Sequence, residues 1–84
     1  MKREYYSVAV DRSEVLLGSM DFFRLLEETE ACMTMSGSDE DPRLYVLYST
    51  EEQRNGAFES MKDRFRSALC VYSPHIVDTL EVQT

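Results

Sequence analysis

The sequence predicts an α+β fold in which a four-stranded antiparallel sheet carries two helices on one face. Apolar residues alternate with polar ones in several short segments and recur at helical spacing in two longer ones. A turn-forming cluster over residues 36–42 separates two of the apolar runs. The resulting order of strand, helix, strand, strand, helix, strand is that of a ferredoxin-like βαββαβ two-layer sandwich. The chain has 84 residues, so we expect a single domain over residues 1–84.

The first predicted strand covers residues 5–10. Side chains in a strand point alternately to its two faces. One face therefore carries Tyr6, Val8 and Val10, and the other carries Tyr5, Ser7 and Ala9.

The first helix is predicted over residues 13–29. Asp11 and Glu14 have capping-box spacing, which marks the start of a helix. An apolar stripe at helical spacing follows, consisting of Leu16, Met20 and Phe23 with Phe22 and Leu26 beside it. Gly18 and Ser19 are poor helix formers, so a later start at Ser19 is the alternative.

Residues 31–35 and 44–49 flank the turn-forming cluster and predict the two strands of a hairpin with a long loop. Glu, Ala and Met favour helices, so an extension of the first helix through residues 30–36 stays open as an alternative.

The second helix is predicted over residues 51–69. Ser49 with Glu52 and Thr50 with Gln53 both have capping-box spacing. The apolar stripe that follows consists of Ala57, Phe58, Met61, Phe65, Ala68 and Leu69, and Arg54 is assigned to the polar remainder. A last strand is predicted over residues 76–82, with residues 70–72 as its lead-in.

Charge is the most distinctive feature of the composition. The chain carries a net charge of −7, and residues 1–42 hold ten acids and four bases. A chain of this charge repels nucleic acid and anionic membranes, so we expect neither as a direct partner. No apolar run approaches the length of a membrane span, and the two cysteines lie far apart, as expected of free thiols in a cytoplasmic protein.

Residues that could support catalysis or bind a cofactor are few. His75 is the single histidine, no glycine-rich phosphate loop is present, and no paired Cys and His ligands occur at zinc spacing. Asp39, Glu40 and Asp41 lack the spacing of a calcium loop. We therefore expect no enzyme activity, no catalytic residues, no cofactor and no metal.

The function expected from these features is binding to a protein with a basic surface. The candidate residues are the carboxylates Glu27, Glu28, Glu30, Asp39, Glu40 and Asp41, together with Tyr5 and Tyr45 on the sheet face away from the helices. In size, charge and element order the chain resembles small phage-encoded inhibitors of host defence nucleases, including anti-restriction and anti-CRISPR proteins. That resemblance implies an inhibitor of a basic, nucleic-acid-handling partner. The alternative is a homodimeric ligand-sensing or assembly module that uses the open sheet face.

Overall fold

The fold consists of one sheet and the helices that connect its strands. The computed structural model describes residues 2–17 and 19–78. Within these residues the elements are β1 (Lys2–Asp11), α1 (Arg12–Leu17), α2 (Ser19–Glu28), β2 (Met33–Ser36), β3 (Arg43–Tyr48), α3 (Glu51–Met61) and β4 (Leu69–Asp78).

The four strands form one sheet in the order β2-β3-β1-β4, and every neighbouring pair is antiparallel. The predicted α+β class and the antiparallel four-stranded sheet are therefore confirmed. Val8 lies opposite Val46 in β3 and opposite Cys70 in β4. Between Tyr5 and Ser7 the register with β4 shifts, and Pro74 lies in the stretch of β4 facing this shift. Proline is tolerated there because β4 is an edge strand and the ladder is already interrupted.

The hydrophobic core lies on one face of this sheet. Alternation puts Val8 and Val10 of β1 on the same face as Val46 and Tyr48 of β3. These four side chains form a single buried cluster with Phe22 and Leu25 of α2, Ala57 and Met61 of α3, and Phe65. The alternation predicted for β1 agrees with this cluster, since Val8 and Val10 belong to it and Ser7 and Ala9 do not.

The helix predicted over residues 13–29 was wrong in two respects. It is two helices, α1 and α2, and α2 begins at Ser19, as the alternative had it. The stripe of Leu16, Met20 and Phe23 is exposed, whereas Phe22 and Leu25 are buried. The segment contains two apolar stripes. The stripe that packs on the sheet is the one with Phe22, which the prediction placed beside the main stripe.

The second helix begins where predicted but ends early. Thr50 caps α3, because its side-chain oxygen accepts a hydrogen bond from the Gln53 amide at 3.1 Å. The helix ends at Met61, and residues 62–68 form turns that carry the buried Phe65 into the core. The assignment of Arg54 to the polar face was wrong, since its side chain is completely buried.

The strands differ from their predicted bounds mainly at the ends. Pairing with β4 extends β1 back to Lys2, and β2 begins at Met33, two residues after its predicted start at residue 31. The alternative of a helix extended through residues 30–36 was wrong, because α2 ends at Glu28. The last strand begins at Leu69 rather than at residue 76, so the predicted lead-in is part of it. The end predicted for that strand, residues 79–82, lies outside the described residues.

Candidate functional site

Three of the candidate carboxylates lie at the end of α2. Glu27 and Glu28 occupy its last turn, which contains no basic residue, and Glu30 follows after one residue. All three are exposed. The C-terminus of a helix carries a partial negative charge, so each acid in the last turn is unfavourable by roughly 0.3–1 kcal/mol at low ionic strength. We refer to Glu27, Glu28 and Glu30 as the α2-end carboxylates.

The backbone of Glu30 makes this arrangement more unusual. Its φ of 59° is the only positive φ among the described residues other than glycine. The Ala31 amide donates to the Leu26 carbonyl at 3.0 Å and the Glu30 amide donates to the Glu27 carbonyl at 3.3 Å, which is the pattern of a Schellman cap. Glycine is the usual residue at this position because a side chain is strained there. Both the charge and the residue type of Glu30 therefore oppose folding.

The other three candidate carboxylates belong to the loop between β2 and β3. Asp39 and Glu40 are exposed, whereas Asp41 is partly buried and already has partners. The Tyr45 hydroxyl donates to Asp41 Oδ2 at 2.5 Å, and Arg43 Nε lies 3.7 Å from Asp41 Oδ1. The carboxylate of Asp41 thus holds the loop against β3. We refer to Asp39, Glu40 and Asp41 as the loop carboxylates.

A second basic side chain, Arg12, bonds the start of the loop that carries these carboxylates. The Arg12 guanidinium donates to Ser36 Oγ at 3.0 Å and to the Gly37 carbonyl at 3.1 Å. A side chain at position 37 would clash with the Asp41 carbonyl, so the loop closes tightly where glycine stands. Arg12 and Arg43 therefore offset part of the negative charge of this loop, unlike at the end of α2.

The two groups of carboxylates lie at opposite ends of the edge strand β2. Cys32 and Gly37, which flank this strand, both donate backbone hydrogen bonds to β3 at 2.8 Å. Five extended residues separate them by about 16 Å. The sequence stretch that looks continuous thus forms two separate acidic sites, one at the end of α2 and one in the loop.

By strand alternation the two candidate tyrosines lie on the sheet face opposite the core cluster, and neither side chain is fully accessible. Tyr5 is only 6% exposed. The Tyr45 ring packs against the His75 ring with centroids 4.9 Å apart, and its hydrogen bond to Asp41 raises the pKa of the Tyr45 hydroxyl. His75 Nδ1 in turn lies 3.0 Å from the Oγ of the buried Ser7. These contacts order the sheet face, and the hydroxyl groups of Ser7 and Tyr45 both have a hydrogen-bond partner.

Sequence reasoning missed a group of exposed apolar side chains on α1 and α2. It consists of four large side chains with exposed fractions of 80% for Leu16, 92% for Leu17, 78% for Met20 and 62% for Phe23. We refer to these residues as the α1–α2 patch. The sequence did contain a signal for this surface, namely two apolar stripes in one segment. A helix on a sheet buries only one face, so one of the two stripes had to be exposed.

Arg54 is also a feature that the sequence did not indicate. Its guanidinium donates to the Val71 carbonyl and lies over the rings of Tyr6 and Tyr72, at 5.7 and 5.2 Å from their centroids. These contacts join α3 to β1 and β4. Arg54 therefore stabilises the fold by cation–π and hydrogen-bond contacts, and it is buried away from any partner.

Comparison with known proteins adds no assignment, since no protein-family model, curated protein or solved structure matches this chain. Among the described residues, no group of three or more His, Cys, Asp or Glu side chains is placed to hold a metal ion. None of the described helices is long and apolar enough to cross a membrane. The α2-end carboxylates and the α1–α2 patch are the surfaces that remain to be explained.

Proposed function

We propose that this chain is a small, non-enzymatic, cytoplasmic binding protein that inhibits or regulates a partner with a basic surface. The observation that carries the proposal is the placement of the α2-end carboxylates at positions where folding favours a base or a glycine. Residues that oppose stability are expected where they serve a function instead.

The proposed partner is a protein that handles nucleic acid. Carboxylates can occupy arginine and lysine sites that otherwise hold phosphates, and charge complementarity raises the association rate and selects partners. Glu27, Glu28 and Glu30 are exposed and lie on one helix end, so they can meet such a site together. This is the mode of action that we propose by analogy with phage anti-restriction and anti-CRISPR inhibitors.

We further propose that the fold is the ferredoxin-like sandwich. Support comes from the antiparallel order β2-β3-β1-β4 and from the positions of the helices along the chain. Two helices, α1 and α2, connect β1 to β2, and α3 connects β3 to β4, so each connection passes over a neighbouring strand. Residues of α2 and α3 pack in the same core cluster, which supports a common sheet face for both.

The test compares three double charge reversals that change the net charge equally. The first is Glu27→Lys with Glu28→Lys, the second is Asp39→Lys with Glu40→Lys, and the third is Glu59→Lys with Asp63→Lys on and after α3. Partners cross-linked to the wild-type chain are identified by mass spectrometry, and the affinity of each purified partner is then measured at two salt concentrations.

We expect the first variant to lose the most affinity, the second to lose less and the third to lose least. Binding by the wild type should weaken with salt, because ions screen exposed charges over about 8–10 Å. Equal losses in all three variants would indicate a general charge effect and refute a site at the α2 end. A partner with an acidic surface, bound equally at both salt concentrations, would contradict the proposal as a whole.

The homodimeric module acting through the open sheet face has less support. Tyr5 is buried, and the Tyr45 hydroxyl already donates a hydrogen bond to Asp41. The exposed apolar side chains on this face are only partly accessible, at 39% for Met35 and 47% for Leu69.

A further inference from the structure

The four side chains of the α1–α2 patch together expose about as much apolar surface as the largest patch on a typical monomer. Taking about 200 Å² for each fully exposed side chain of this size, the exposed fractions of Leu16, Leu17, Met20 and Phe23 amount to roughly 600 Å². The largest apolar patch on a typical monomer is about 300–600 Å² and is often an interaction site. An exposed apolar surface of this size indicates that another molecule covers it.

A recess lies beside the protruding side chains of the patch. It has a volume of about 260 Å³ and is lined by Glu14, Leu17, Asp21, Arg64 and Phe65. The ionic groups at its edge are already engaged, since Arg64 lies 3.7 Å from Asp21 and the Glu14 carboxylate accepts the amides of Arg66 and Ser67. An apolar side chain can enter this recess without leaving one of these charges unpaired.

We propose that the α1–α2 patch is covered by the same patch of a second copy of this chain, related by a two-fold axis near Met20 with the two α2 helices antiparallel. A two-fold interface uses one surface twice, so that surface must supply both protrusions and a recess to receive them. The patch supplies Met20 and Phe23 as protrusions and the recess beside Leu17.

The area supports a stable dimer. A standard interface buries about 800 Å² on each partner, with an apolar centre and a polar rim. The patch provides roughly 600 Å² of apolar centre. Residues that border it, such as Arg24 and the Asp21–Arg64 pair, provide a rim of mixed charge.

The net charge of −7 does not prevent this association, because the α2-end carboxylates lie away from the patch and Asp21 beside it is paired with Arg64. Eight residues separate Met20 from Glu28, or about 12 Å along the helix. Antiparallel packing about Met20 therefore puts the two Glu28 side chains about 24 Å apart, several times the screening length of about 8 Å at physiological salt. A parallel arrangement would bring the α2-end carboxylates together and is disfavoured by their repulsion.

The experiment is sedimentation equilibrium of the full chain over a wide concentration range. We expect a reversible monomer–dimer equilibrium that is maintained or strengthened as salt is raised. Leu17→Gln and Met20→Gln should each weaken dimerisation by about tenfold or more, as expected for central apolar contacts. Leu69→Gln, an equally polar change on the open sheet face, is the matched control and should leave the equilibrium unchanged. Circular dichroism of each variant verifies that it is folded.

A second measurement locates the two-fold axis. In a Cys32→Ser, Cys70→Ser background, Met20→Cys should form a disulfide-linked dimer on mild oxidation, while a cysteine introduced at Glu59 should not. A strict monomer at all concentrations would overturn the proposal, as would a dimer disrupted by Leu69→Gln but not by Met20→Gln. Open-ended polymers would contradict the closed two-fold contact, and binding to neutral lipid vesicles by a monomeric chain would assign the patch to a membrane instead. Because dimerisation is insensitive to screening, its failure can be distinguished from failure of the charge-dependent partner binding.

Discussion

Replacing Glu30 by glycine should stabilise the protein, which is unusual for a single substitution at an irregular position. A left-handed backbone costs a residue with a side chain roughly 1–2 kcal/mol relative to the right-handed form. Glycine loses about 0.5–1 kcal/mol more backbone entropy on folding, which offsets part of that gain. Removing an exposed acid from the end of α2 adds a few tenths of a kcal/mol, at the low end of the roughly 0.3–1 kcal/mol of a helix-dipole contact.

The free energy of unfolding of Glu30→Gly should therefore rise by about 1 kcal/mol, or roughly 4–8 °C in Tm for a domain of this size. Urea unfolding followed by circular dichroism measures this change. Glu30→Ala removes the same charge but keeps the strain at φ 59°, so it should gain much less. Glu28→Gly removes a charge from within α2, where glycine costs about 1 kcal/mol, and it should destabilise the protein.

Equal stabilities for Glu30→Gly and Glu30→Ala would show that backbone strain at residue 30 contributes nothing, and the reasoning would be wrong. If Glu30→Gly is more stable but binds the basic partner less tightly, stability and binding are opposed at this residue. That outcome is the one expected if Glu30 is retained for binding.

Three further predictions concern the core, pH and the cysteines. Phe65→Ala should destabilise the protein by about 3–5 kcal/mol, since Phe65 is buried edge-on against Phe22 with centroids 5.8 Å apart. Phe23→Ala should change the stability of the monomer by less than about 0.5 kcal/mol, because Phe23 is exposed there. Both are measured by urea unfolding at a concentration too low for the proposed dimer. The hydroxyl and amide of Ser67 donate to the Glu14 carboxylate and hold its pKa below the ordinary value, so protonation favours the unfolded chain. The wild type should therefore be more stable than Glu14→Gln at neutral pH. This difference should disappear as acid protonates Glu14. Thermal unfolding of both forms across the acidic range measures this, and a difference that is independent of pH would contradict it. Cys32 lies just before β2 and Cys70 lies in β4, and the strands β3 and β1 run between them. Thr34 of β2, two residues from Cys32, is already about 14 Å across the sheet from Cys70, so no disulfide can form within the chain. The exposed Cys32 should react with a thiol reagent faster than Cys70, whose pKa is raised by burial, and equal rates in the folded protein would contradict this.

The sheet was more predictable from the sequence than the helices. Alternation in β1 and the turn cluster before β3 are local patterns, and each fixes which side chains share a face. The choice between the two stripes of α2 is not local, because Phe22 and Phe23 are equally apolar. It depends on how α2 lies on the sheet, where Phe22 meets Phe65 from the turn after α3.

The candidate site was only partly predictable for a related reason. The carboxylates are visible in the sequence, but their division into two groups depends on the direction of β2, which carries the chain from one end of the sheet to the other. The partners of Asp41 and the burial of Arg54 depend on contacts that join distant elements or close loops. Charge patterns reveal which residues are acidic, and only the fold reveals which of them are free to bind.

The two proposed surfaces use different parts of α2, the patch together with α1, and this separation gives them a functional relation. The inner side of α2 holds the core through Phe22 and Leu25, its first turns carry the apolar Met20 and Phe23, and its end carries the acidic group. A dimer formed through the first turns would present two sets of α2-end carboxylates on one particle. A partner with two basic sites at matching distance would then bind the second set as an intramolecular event, with a gain in avidity that needs no new contact. Self-association and charge recognition on the same helix would thus reinforce each other, although they depend on different residues and respond differently to salt.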